Sequence, residues 1–82
     1  MEVKGYRVSR HLADYLRSQR SNIKLDWIER AIESPDHTEE VSEKELRIWK
    51  QIPEFGNRFL RVVLNPERRI VVTAFFDRRF RL

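Results

Sequence analysis

The sequence predicts an α+β fold in the order β-α-α-β-β-β(-β), an antiparallel sheet with two helices packed on one face. Three observations predict it. Phe59–Leu64 and Ile70–Phe76 are β-branched, aromatic or apolar almost throughout, and the turn-forming Asn65-Pro66-Glu67-Arg68-Arg69 separates them. Two consecutive segments between residues 10 and 33 carry apolar residues at helical spacing. Glu45–Ile52 alternates apolar and polar positions, the period of a strand. Runs of strands beside runs of helices define the α+β class.

In order, Glu2–Val8 reads as a first strand around Val3, Tyr6 and Val8. Ser9 is a good N-cap for a helix from Arg10 to about Gln19, with Leu12, Ala13 and Leu16 on one face. A second helix spans Leu25–Glu33. Leu25, Ile28 and Ile32 form its stripe, widened by Trp27 and Ala31, and Asp26 and Glu29 stand in the first turn, where the helix dipole favours acids. Ser34-Pro35-Asp36 ends it, because proline cannot continue the hydrogen-bond ladder. His37–Ser42 reads as a polar edge strand. The alternating strand Glu45–Ile52, a turn over Pro53–Asn57 and the apolar hairpin complete the fold, before a basic tail, Arg78–Leu82. With 82 residues and neither repeat nor linker, residues 1–82 are expected to form one domain.

Composition excludes several functions. The chain has no cysteine and two well-separated histidines, so no metal-ligand spacing exists and no metal or cofactor is expected. No P-loop, dinucleotide fingerprint or nucleophile elbow is present. No apolar run approaches the roughly 20 residues of a membrane span, and no signal-peptide pattern opens the chain, so a cytoplasmic location is expected. Net charge is +4, unevenly spread: +4 over residues 1–25, −6 over 26–46 and +6 over 47–82. A basic half built on strands suggests a polyanion-binding surface. Such runs also serve simply as solvated faces.

Strand parity sorts the expected side chains by face. Leu46/Ile48/Ile52, Leu60/Val62/Leu64 and Ile70/Val72/Ala74/Phe76 suit the helices. The opposite face carries Arg47/Trp49/Gln51, Phe59/Arg61/Val63 and Val71/Thr73/Phe75. Hairpins centred on their turns would set Trp49, Arg61 and Thr73 side by side on this open face. An arginine inside the most apolar hairpin costs several kcal/mol unless it meets water, a partner or a ligand. Arg61 is therefore the candidate phosphate ligand, its alternative role being an ion pair with a carboxylate such as Glu45. Trp49 is a candidate base-stacking platform or a partly covered hydrophobe. Arg47, Lys50, Arg58, Arg78 and Arg79 would form a positive rim, with Phe75 beside the bases. His11, one turn into the first helix, is a candidate general acid or base, or an ordinary surface histidine.

Three motifs resemble a known family. Ser9-Arg10-His11 resembles the Thr/Ser-x-His that follows its first strand. RSNIKLDWIERAIESP, residues 20–35, resembles its Arg-x-x-Ile helix opening that closes on proline. Ile70-Val71-Val72-Thr73 resembles its last strand, a hydrophobic run ending in Val-Thr. The chain thus resembles the RelE/ParE toxin superfamily, nearest to the BrnT-like toxins and a related uncharacterised small domain family. The resemblance implies a βααβββ fold, metal-independent cleavage of RNA (ribosome-bound mRNA included) and an antitoxin partner. Lys24 stands where the family has a small or capping residue, and the RelE-type C-terminal helix with its catalytic tyrosine has no counterpart.

These readings converge on a toxin-like ribonuclease in which His11, Arg61 and Thr73 are catalytic and RNA lies across the open face. A non-catalytic module using that face for RNA or an acidic protein is the alternative. A purely structural subunit would instead hold Arg61 in an internal salt bridge. An antitoxin with an acidic segment is the expected partner of the first. Asp36–Glu45 folding over the face in cis, or pairing with a neighbour in a homodimer, is the other way to cover it. Monomer and homodimer are both compatible.

Overall fold

The computed structural model describes all 82 residues. Its strands are β1 (Glu2–Val3), β2 (Tyr6–Val8), β3 (His37–Ser42), β4 (Glu45–Ile52), β5 (Arg58–Asn65) and β6 (Ile70–Phe76), and its helices are α1 (Arg10–Arg17) and α2 (Leu25–Glu33). They form one α+β unit with a single six-stranded sheet in the order β1-β2-β6-β5-β4-β3. The expected first strand is a tight hairpin instead, because Lys4 (φ 50°) and Gly5 (φ 81°) turn the chain back on itself. The sheet is mixed rather than purely antiparallel: β2 runs parallel to β6, through Arg7 opposite Ile70 and Val8 opposite Val71.

Ser9 ends that parallel pair and starts α1. Its Oγ accepts the Leu12 N–H at 3.2 Å and donates to the Val72 carbonyl at 2.8 Å. One side chain thus caps the helix and ties it to β6. The helix stops at Arg17, short of Gln19, because Ser18 turns extended and gives both its N–H (3.0 Å) and its hydroxyl (2.7 Å) to the Tyr15 carbonyl. Lys24 heads α2 without a side-chain cap, and Asp26 occupies the first turn. Its buried stripe is Trp27, Ile28 and Ala31, whereas Leu25 is exposed.

The helices share one core with Ile48, Ile52, Leu60, Val62, Leu64, Val71 and Ala74. Val71 takes the core place expected of Val72. A bulge does this: Val63 faces Thr73 but Leu64 faces Val71, so Val72 is an extra residue, left exposed. Glu54, beyond β4, is ion-paired to Arg30 of α2. Through this pair the Glu54 carboxyl is lowered to about 2. No helix is long and apolar enough to cross a membrane.

Candidate nucleic-acid interface

The sheet face opposite the helices is covered in part. Trp49 and Val63 are buried but lie outside the helix-side core. The tail does the covering. Phe80 stacks on Trp49, with centroids 4.7 Å apart and planes 14° from parallel, and meets Phe59 edge-on at 5.0 Å and His37 at 5.4 Å. Asp77 fixes the approach. Its Oδ2 accepts the Trp49 Nε1–H at 3.0 Å and its Oδ1 accepts the Arg79 N–H at 3.1 Å. The indole hydrogen bond, then the Arg79 N–H and the nearby Arg61 charge, hold the Asp77 carboxyl below its ordinary range, against the pull of burial. The cover in cis is therefore chiefly the C-terminal tail; Asp36–Glu45 lies at the sheet's far edge and contributes His37, 5.3 Å from the Trp49 ring.

Arg61 does not stand beside Thr73. Trp49 opposes Arg61 as expected, in the unbroken β4–β5 ladder, but the β5–β6 ladder sets Arg61 opposite Phe75 and Thr73 opposite Val63. The Arg61 guanidinium lies 5.5 Å from the Trp49 ring and 5.2 Å from the Phe75 ring, with Nη1 3.9 Å from Asp77 Oδ2. Its Nε is buried without a hydrogen-bond partner. This is the internal charge pairing that a structural arginine would show, with Asp77 rather than Glu45 as partner. Glu45 binds Arg47 instead, at 2.7 Å, and Glu39 adds a second contact at 3.0 Å. These carboxylates raise the Arg47 pKa. Lys50 faces Asp36 at 3.6 Å. Of the basic residues expected at the interface, Arg47, Lys50 and Arg61 are thus engaged within the chain. No acidic group lies within ion-pair distance of Arg58, Arg78 or Arg79.

Two of those free arginines meet His11 elsewhere. A cleft of about 390 Å³ opens between α1 and the C-terminal half of β6. His11, Leu12 and Tyr15 form the helix wall, and Thr73 to Phe76 form the strand wall. Asn22 and Ile23 come from the loop before α2, and Arg58 and Arg78 stand among the lining residues. No lining residue is acidic. Four of the expected site residues therefore share one cleft with Phe75, and Arg61 is not among them. A second cleft, about 550 Å³, lies under the tail and shares Arg58, Phe76 and Arg78 with the first.

Tyr15 and Asn22 were not anticipated. The Tyr15 hydroxyl donates to Asn22 Oδ1 at 2.9 Å and accepts the Asn22 N–H at 3.3 Å, bracing the helix wall against the loop. The usable signal was spacing: Tyr15 lies four residues after His11, on the same helix face. No group of three or more His, Asp or Glu side chains is arranged to hold a metal ion. Comparison of the chain with protein-family models, with curated proteins and with solved structures finds no match.

Proposed function

We propose that this chain is a small RNA-binding protein of the RelE/BrnT toxin kind, which cleaves single-stranded RNA without a metal in the cleft between α1 and β6. The observation that carries the reading is the meeting of His11, Arg58 and Arg78 in one cleft without an acidic residue. A phosphate held by the two guanidinium groups would have its developing charge offset as the transition state forms. His11 would take the 2′-hydroxyl proton, or give a proton to the departing oxygen, with water serving the other step. The 2′-oxygen then bonds to phosphorus as the P–O5′ bond breaks, leaving a 2′,3′-cyclic phosphate and a 5′-hydroxyl. Exposed Phe75 offers a stacking face at the cleft wall, a role the covered Trp49 does not share. Because the two clefts share Arg58 and Arg78, a strand could run from one into the other.

From the second strand of the opening hairpin onward the order is β-α-α-β-β-β-β, which supports the toxin-like reading at the level of fold. An antitoxin whose acidic segment covers the cleft belongs to the same proposal. The test is cleavage of labelled single-stranded RNA in EDTA, comparing the parent chain with His11→Ala and Arg58→Ala. Cyclic-phosphate ends from the parent, with rates about 10²-fold or more lower in His11→Ala, support it. Equal rates in parent and His11→Ala overturn it. One observation favours the non-catalytic alternative: the exposed His11 takes part in none of the chain's side-chain hydrogen bonds, so nothing orients its ring. RNA retained by the parent chain and released by Arg58→Ala, without cleavage by either, would establish that reading.

A further inference from the structure

The sheet has a vacant lane. Strand β2 pairs with β6 only as far as Val71, and at Ser9 the chain leaves the sheet for α1. Beyond Val72 no strand lies on the outer side of β6, and the cleft occupies that side. Which backbone groups face the lane follows from the ladder. The Asp77 N–H donates to the Phe59 carbonyl at 2.9 Å, making Phe59 and Asp77 a hydrogen-bonded pair. In an antiparallel ladder such pairs alternate. Phe75 opposite Arg61 and Thr73 opposite Val63 therefore face β5, and the N–H and C=O groups of Ala74 and Phe76 point outward. No strand or side chain of the protein bonds those outward groups. Backbone donors and acceptors in a partly covered place are rarely left unpaired.

We propose that an extended acidic peptide occupies this lane as an added strand, in line with β2 and hydrogen-bonded to Ala74 and Phe76. The free edge from Thr73 to Phe76 is about 13 Å long at about 3.3 Å per residue, enough for a short strand. Side chains of such a strand alternate, so one set would reach the apolar wall of Leu12, Ile23 and Phe76. The charge of the occupant follows from the cleft: Arg58 and Arg78 lie there and no carboxylate does. Backbone pairing supplies affinity in this mode, and the side chains select the partner. The inference stands on the ladder geometry and does not require the cleft to cleave RNA.

A random heptapeptide library displayed on phage and panned on the intact protein tests it. Enrichment of sequences that alternate apolar and acidic residues is expected. A synthetic peptide of the enriched sequence should bind about tenfold more weakly to Ala74→Pro, which removes one outward donor but no bond to β5. Arg58→Glu should weaken it at least as much. In the parent chain the peptide should slow hydrogen exchange at the Ala74 and Phe76 amides, a readout that holds if the proline variant does not fold. No enrichment, enrichment without acidic residues, or bound peptide that leaves both amides unprotected would overturn the proposal. RNA binding and cleavage are measured separately, so failure of either leaves this result standing.

Discussion

Phe80 lies face to face with Trp49, from the other end of the fold's basic half, and closes the sheet surface that strand parity alone would leave open. The contact makes the tail part of the folded unit. Offset and edge-on aromatic pairs contribute about 0.5–1.5 kcal/mol beyond their buried area. Phe80→Ala is expected to destabilise the protein by about 1–3 kcal/mol in urea unfolding. In a Trp27→Phe background, where Trp49 is the sole tryptophan, acrylamide should quench poorly until Phe80 is removed. Ready quenching of Trp49 with the tail intact would show that the tail does not cover it.

Asp77 makes the same closure pH-dependent. Its pKa is lowered on folding, chiefly by the Trp49 indole N–H. A lowered carboxylate pKa adds stability at pH values above the unfolded value, about 3.9. That contribution is lost as pH falls through the still lower folded value. Asp77→Asn should therefore be less stable than the parent near neutral pH, by about 1 kcal/mol. The gap should close as pH falls through the lowered folded value of Asp77. Urea midpoints across pH 2.5–7 check this, and a gap independent of pH would remove the charge from the explanation.

The two valines at the start of β6 should behave oppositely. Val71 is fully buried in the core, and Val72 is the exposed bulge residue. Val71→Ala should cost about 2 kcal/mol, and Val72→Ala within about 0.5 kcal/mol. Equal losses at the two sites would place the bulge elsewhere.

Salt dependence tests which cations meet a nucleic acid. Arg58 and Arg78 are unpaired in the cleft, whereas Arg47 is already bound by Glu39 and Glu45. For single-stranded RNA, each lost phosphate contact should flatten the slope of log K against log salt by about 0.7. Arg58→Ala and Arg78→Ala should each show that change, and Arg47→Ala should show none.

Most elements were legible because each carried its own local signal. Ser9 announced a helix, Pro35 ended one, and the alternation from Glu45 to Ile52 has no competing reading. What stayed hidden depends on single residues acting at a distance. The Lys4-Gly5 turn split a strand that alternation joined. The extra residue at Val72 reversed the parity of the strand's first end and sent Val71 into the core, while Thr73 kept its face opposite Val63 instead of Arg61. The tail reads from sequence as a basic rim beside the open face, since nothing near Phe80 in sequence says that it will find Trp49. Arg61, a charge inside an apolar hairpin, needs a partner on sequence grounds, but sequence pointed to a phosphate or Glu45. The partner was Asp77, which closes the tail, and the free arginines lay at strand ends, where ordinary composition disguises them.

The parallel pairing of β2 with β6 sets a schedule as well as a shape. Ser9 bonds Val72 across 63 residues of chain, so the first strand waits for the last. Contacts this distant carry a large loop-closure cost and form late. The cleft draws on His11 near one end of the chain and Arg78 near the other, and its two walls face each other only when that closure is made. A nascent chain that has not yet released β6 from the ribosome holds His11 on a helix with nothing opposite it. A chain in which β6 has not yet formed has one wall of the cleft and lacks the other.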